Sequence, residues 1–210
     1  MVDSMDEKVI LLTGFEPFGG NEVNPSIQAC RELEGKTYNG YRALVEETPL
    51  RYHEIKGLIE GHIERYKPAA VICTGQGGGG GLSVERVAIN VASARMRYNC
   101  GYKPIDEPLN SDGPVAYWTK LPFRELLVAL KEAGIPSRLS NSAGTFGCNQ
   151  IFYHLMDCLA RERLDVPAGF IHVPMLPEQV LEKRNATSMS LDLIAKGLAV
   201  VVEEISKQLL

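Results

Sequence analysis

Residues 55–74 read IKGLIEGHIERYKPAAVICT, and this stretch decides the fold. Leu58, Ile59, His62, Ile63 and Tyr66 recur at helical spacing from Ile55, which predicts an amphipathic helix closed by Pro68. Ala69 to Thr74 follows at once as a short apolar run, the pattern of a central strand. The same alternation extends in both directions. Toward the N-terminus, a buried strand is expected over Lys8–Thr13. A helix follows, capped by Asn24, opened by Pro25 and stopped by Gly35, and then a strand over 41–48 that ends at Pro49. Toward the C-terminus, Val84 to Val91 reads as one strand with Glu85, Val87, Ile89 and Val91 on a single face. Pro122 opens a helix through Leu126, Leu127 and Leu130 to Gly134. A strand over Pro136–Asn141, a helix carrying Ile151, Phe152, Leu155, Met156 and Leu159, a strand over Ala168–Val173 and a closing helix from Leu191 to Ile205 complete the order. Strands alternating with helices predict an α/β fold: a single domain over residues 1–210, its largely parallel twisted sheet covered by helices on both faces.

Composition narrows the function. The chain has 210 residues, 45% hydrophobic and 23% charged, with a formal net charge of -4 and no basic run. Nucleic acid is therefore not an expected partner. The polar, acidic start from Met1 to Lys8 leads into an apolar run, Val9–Leu12, too short for a signal sequence or a membrane span. No membrane partner is expected. The five cysteines are an odd number without close metal-type pairing, which reads as reduced thiols in the cytoplasm. Between Arg95 and Trp118 lies a long aperiodic stretch whose tyrosines and tryptophan predict an ordered, packed excursion.

In parallel sheets, sites gather where loops leave the carboxyl ends of strands. The turn Phe15–Gly20, the segment Gly75-Gln76 with the glycine run Gly77–Gly81, the loop Ser142–Gly147 and the strand end at His172 would all meet at one such edge. Cys148 stands where a helix begins. Free N–H groups and the positive end of the helix dipole favour a thiolate there. Cys30, Cys73 and Cys158 fall inside apolar periodic segments and read as core fillers, while Cys100 is left open in its loop. His172 alone would read as a core histidine. A strand–helix–strand crossover, however, brings the start of the Cys148 helix beside the end of the His172 strand, as a thiol–imidazole pair requires. His53, His62 and His154 are placed in helices with structural or exposed roles. Glu85, an acid on an apolar face, needs a partner; Arg86 or Arg95 would suffice, but orienting His172 is the sharper reading. The glycine run lacks the Lys-Ser/Thr of a phosphate-binding loop and reads as a flexible wall of the site, with nucleotide binding a minor alternative.

Several segments together resemble the pyroglutamyl peptidase type I family of cysteine peptidases. They are Leu12-Thr13-Gly14-Phe15-Glu16-Pro17-Phe18-Gly19-Gly20 with Asn24-Pro25-Ser26, Val84-Glu85-Arg86-Val87-Ala88-Ile89-Asn90, and Asp112-Gly113-Pro114 with Ala116-Tyr117. Ala143-Gly144-Thr145-Phe146-Gly147-Cys148-Asn149, and His172-Val173-Pro174 with Leu176-Pro177-Glu178-Gln179, complete the set in family order. The resemblance implies a phosphorylase/hydrolase-like fold and a triad of Glu85, Cys148 and His172. It implies an apolar slot for a lactam ring built from Phe15, Phe18 and Phe146, Arg95 beside the oxyanion region, and Gln76 bordering the pocket. It also implies peptides with an N-terminal pyroglutamate as substrates, assembly as a homodimer or homotetramer, and no metal or cofactor. Two departures stand out: Gly147 replaces a bulkier family residue, implying a looser pocket floor, and the glycine loop is about one residue short. Three other readings stay open. A glutaminase places its cysteine in a G-x-C-x-G elbow, which Phe146-Gly147-Cys148-Asn149-Gln150 is not. A nucleoside phosphorylase needs cationic phosphate ligands. A binding module would not depend on Cys148.

Overall fold

The structure is a computed structural model and describes residues 8–210; the polar start from Met1 to Glu7 lies outside the described residues. Its main sheet is formed by β1 (Val9–Phe15), β2 (Thr37–Tyr38), β3 (Tyr41–Thr48), β4 (Ala70–Gln76), β5 (Leu82–Glu85), β8 (Ser137–Ser140) and β9 (Ala168–Val173). The spatial order is β2-β3-β1-β4-β9-β5-β8. β6 (Val87–Ile89) and β7 (Ala116–Trp118) pair separately. The helices are α1 (Pro25–Arg31), α2 (Ile55–Tyr66), α3 (Phe123–Glu132), α4 (Gly147–Arg161) and α5 (Leu191–Gln208).

Each element follows from local chemistry. Asn24 Oδ1 accepts from the backbone N–H and the hydroxyl of Ser26, capping α1 with Pro25 in its first turn. α2 starts at Ile55 and is closed by Lys67 in the left-handed conformation just ahead of Pro68. Successive residues of β1 serve opposite faces: Ile10 and Leu12 join the cluster under α1, α3 and α5, whereas Leu11 joins the one under α2 and α4. Two apolar cores therefore sandwich the sheet, as the helix–strand alternation predicts.

The topology differs from expectation in one respect that shapes the site. β3, β1, β4 and β9 run parallel, but β5 is antiparallel to β9 and parallel to β8. The cause is the length of the glycine loop. Only residues 77–81 separate β4 from β5, whereas a parallel return needs a crossover of a dozen or more residues. The loop instead passes over the end of β9, where Gly77 N–H donates to Val173 O, and the chain runs back down. The crossover from β8 through α4 to β9 is thus not a parallel unit. Residues 141–146 return the chain to the carboxyl edge before α4 starts, and it is the antiparallel run of α4 against β9 that brings Cys148 level with His172.

The expected strand from Val84 to Val91 is also cut, at Arg86. Arg86 N–H still donates to Ser140 O, but β8 ends there, and beyond it the main sheet offers no neighbour. β6 turns instead to β7 and to the side chain of Asn149. Glu85 therefore belongs to the main sheet, and Val87 and Ile89 to the separate pair, instead of one continuous strand. The excursion over 95–118 is ordered, as expected: Tyr117 and Asn110 bond the buried carboxylate of Asp157 on α4, and Asn90 bonds Asn110 O. Burial opposes the charge on Asp157, but Tyr117, Arg161 and Asn110 hold its carboxyl below the usual range.

Candidate active site

Strand register places the acid and the base. Ser83 and Glu85 lie opposite His172 and Phe170 on the antiparallel pair, so Glu85 is the diagonal neighbour of His172 on one face. Its Oε1 sits 2.8 Å from His172 Nδ1. Glu85 is 1% exposed, so its carboxylate has that partner in place of water. The other side of the ring meets Cys148, the second residue of α4. Burial works against a charge on the imidazole. The hydrogen-bonded Cys148 thiolate and the Glu85 carboxylate outweigh it and push His172 from 6.5 up to about 10. The sheet edge thus holds a row of carboxylate, imidazole and sulfur. The first N–H groups of α4, which helix geometry leaves without intrahelical acceptors, lie beside the sulfur.

Glycines make room for this row. A Cβ on Gly75, the β4 residue in register with His172, would lie 2.7 Å from Cys148 Sγ and 2.8 Å from Phe170 Cζ. One on Gly77 would lie 3.0 Å from His172 Cβ and 3.1 Å from its ring. Gly147 does not loosen the floor, contrary to expectation: Leu50 Cδ1 stands 2.3 Å from where its Cβ would be, with Phe15 just beyond. The space a side chain would fill is already taken. Phe15 is buried against Gly75 and Gly147, and Phe146, the N-cap of α4, lies 6.3 Å from Phe18 and 4.4 Å from Tyr98, ring centre to ring centre. Three phenylalanines and Tyr98 therefore collect around the Cys148 end of α4.

The remaining candidates are placed differently. Gln76 follows Gly75 on the strand and so turns to the other face, where its side-chain oxygen accepts from Gln179. Arg95 is exposed, two residues beyond Ser93, which is tied to Thr145 by two hydrogen bonds. It thus stands near the loop that leads into Cys148, and among the described residues its side chain has no hydrogen-bond partner. Cys30, Cys73 and Cys158 are buried, and Cys100 is exposed. His53 lies in the turn ahead of α2, not in a helix, and packs against Tyr52 and Tyr102. A cavity of about 660 Å³ lies beside Lys67, Cys158 and Arg161, and Glu85, Cys148 and His172 are not among its lining residues.

Comparison with known proteins decides between the readings. A family model described as pyroglutamyl peptidase matches residues 8–208. The chain belongs to the pyroglutamyl peptidase family. The pyrrolidone-carboxylate peptidase of Bacillus cytotoxicus is 44% identical over 197 residues, covering 93% of this chain and 92% of that protein. The namesake from Bacillus licheniformis is 45% identical over 194 residues, 92% of this chain and 90% of its own. The crystal structure of pyroglutamyl peptidase I from Bacillus amyloliquefaciens is 41% identical, covers 95% of each chain and gives a TM-score of 0.92. A mutant pyrrolidone carboxyl peptidase from Pyrococcus furiosus gives the same TM-score at 34% identity. The family is one of cysteine peptidases, and the single-domain α/β fold of this member matches theirs.

Within this peptidase, Gly75 and Asn149 are residues that sequence reasoning passes over. Asn149 is buried beside Cys148, accepts from Ile89 N–H and donates to Ile89 O and Val91 O, so it anchors the start of α4 to β6. The only sequence signal for either is position, at the end of a buried strand or next to the candidate nucleophile. Gly75→Ala is expected to displace the sulfur and lower kcat/KM by about 10²-fold, the effect of an ångström-scale misplacement. Steady-state kinetics beside the rate of Cys148 alkylation checks this, since both should fall together.

Proposed function

We propose that this chain removes an N-terminal pyroglutamyl residue from peptides, with Cys148 as nucleophile, His172 as proton carrier and Glu85 as the group that orients and charges the imidazole. The observation that carries the reading is the row in which His172 bonds Glu85 through Nδ1 while its other side faces Cys148 at a helix start. The names of the relatives supply the substrate. The Cys148 thiolate attacks the carbonyl carbon that links the lactam residue to the peptide; the C–S bond forms and the carbonyl electrons move to oxygen. Backbone N–H groups at the start of α4 stabilise that oxyanion, with Arg95 at the mouth adding positive charge. As the oxyanion collapses, the C–N bond breaks and His172 gives its proton to the departing amine. Water then attacks the thioester, His172 takes its proton, and the C–S bond breaks to release pyroglutamate and the thiolate. Phe15, Phe18 and Phe146 hold the uncharged lactam in an apolar slot, and Gln76 braces the strand end behind it. An open-chain glutamine or glutamate would bring its ammonium into that slot and be rejected.

A fluorogenic pyroglutamyl amide tests the reading. Release without added phosphate, with no release from the glutaminyl amide, is expected; a chain inert toward the pyroglutamyl amide but active on free glutamine or on nucleosides with phosphate overturns it. The cell compartment proposed is the cytoplasm; among the described residues no helix is long and apolar enough to cross a membrane. A homodimer or homotetramer is proposed as well, meeting on the excursion where Ile105, Val115 and Trp118 are 68%, 84% and 65% exposed. Light scattering should give two or four chain masses, and a monomer at micromolar concentration would contradict it.

A further inference from the structure

The turn after β1 carries an acid that the reaction does not use. Glu16 follows Phe15 directly and precedes Phe18 by two residues, and it is half-buried. Its Oε1 accepts from the backbone N–H of Leu50 at 2.8 Å and from Asn99 Nδ2 at 2.7 Å. The two donors belong to different segments, the loop after β3 and the excursion. Those segments are also tied to each other, because Asn99 N–H donates to Leu50 O. Asn99 Nδ2 reaches Pro17 O as well, at 3.1 Å. The backbone of Glu16 is fixed in turn: its N–H donates to Thr48 O, and its C=O accepts from Asn24 Nδ2. Three segments remote in sequence therefore meet on one carboxylate.

Each of them brings an apolar group to the Cys148 end of α4. The β1 turn brings Phe15 and Phe18. The loop after β3 brings Leu50, whose Cδ1 takes the space beside Gly147. The excursion brings Tyr98, next to Asn99 in the chain, with its ring centre 4.4 Å from that of Phe146. Apolar contact is non-directional and does not by itself fix how far apart these groups stand. Hydrogen bonds to a carboxylate are short, directional and stronger than those between neutral groups. We propose that Glu16 is a positioning residue that clasps the three segments and sets the width of the lactam slot to a five-membered ring. The inference rests on the pyroglutamyl-peptidase reading. Glu16 acts through Phe18, Leu50 and Tyr98 and touches no reacting atom.

The test compares a fluorogenic pyroglutamyl amide with its ring-expanded homologue, in which one added methylene makes the lactam six-membered. In a slot of fixed width that methylene should cost the native enzyme about 10-fold or more in kcat/KM. Glu16→Ala releases both donors and should bring the ratio close to one, mainly by raising KM for the smaller ring. Glu16→Gln keeps an oxygen acceptor in the same place and should restore most of the ratio. Asn99→Ala removes only the side-chain bonds of an exposed residue, so it should fold and give an intermediate ratio. A merely structural role for Glu16 would lower turnover of both amides alike and leave the ratio standing, which overturns the proposal. A native enzyme that cleaves both rings equally well overturns it too, as does an Asn99→Ala ratio equal to the native one. Those results leave the peptidase reading intact, since the pyroglutamyl amide is still cleaved. A native enzyme inert toward that amide sinks both.

Discussion

Cys148→Ala should lower kcat on a pyroglutamyl amide by about 10⁴-fold or more, the scale on which removal of a covalent nucleophile acts. The sulfur is the one group in the row able to hold the acyl fragment, and neither His172 nor the α4 N–H groups can replace it. The fold should survive: Cys148 is half-buried at a helix start and only borders the core under α2 and α4, where alanine removes a single sulfur atom. The melting temperature of the variant should thus stay near that of the native protein while turnover disappears. Turnover surviving within about 10-fold, in protein free of native contaminant, would show that the thiol is not the nucleophile.

Glu85→Gln should cost about 10²- to 10⁴-fold in kcat/KM, the range seen when the carboxylate behind a catalytic imidazole is made neutral. The amide keeps the shape of the acid but no longer stabilises a charged ring. His172 stands at about 10 in the folded chain, above its ordinary 6.5. A raised base contributes stability in full below 6.5 and loses it as pH rises through about 10. For activity, the native enzyme should lose its general acid only on that alkaline limb. Without Glu85 the limb should move to lower pH by about one unit or more. A pH profile of kcat/KM for both proteins checks the shift. An alkaline limb at the same pH in both would mean that the carboxylate does not charge the ring.

The sequence makes the element order legible because helix and strand periods differ and because proline, glycine and asparagine punctuate them clearly, as at Asn24, Pro68 and Gly134. It does not make strand direction legible at β5. Direction there depends on loop length, and the five glycines read as chemistry before they read as a connector too short for a crossover. The break at Arg86 is hidden for a similar reason: Val84–Val91 keeps its alternation of side chains, while the loss of a hydrogen-bonding neighbour at Ser140 is tertiary. The hairpin from β2 to β3 carries a plain signal in Asn39-Gly40, both at positive φ. At the site, Cys148, His172 and Glu85 can be proposed from residue type and position. What Gly75, Gly147 and Gly79 do cannot, since a glycine's role lies in the neighbour that occupies its missing side chain: Cys148 for the first, Leu50 for the second and Arg138 for the third.

The proposed reaction requires the sulfur of Cys148 to act as the nucleophile beside the His172 imidazole. Iodoacetamide labelling at neutral pH, read cysteine by cysteine in the mass spectrum and alongside residual turnover, tests this most directly, with the exposed Cys100 as an internal reference. Cys148 should react well ahead of Cys100, and activity should fall in step with its modification alone. Protein fully alkylated at Cys148 that still cleaves a pyroglutamyl amide, or a Cys148 slower to react than Cys100, would contradict it.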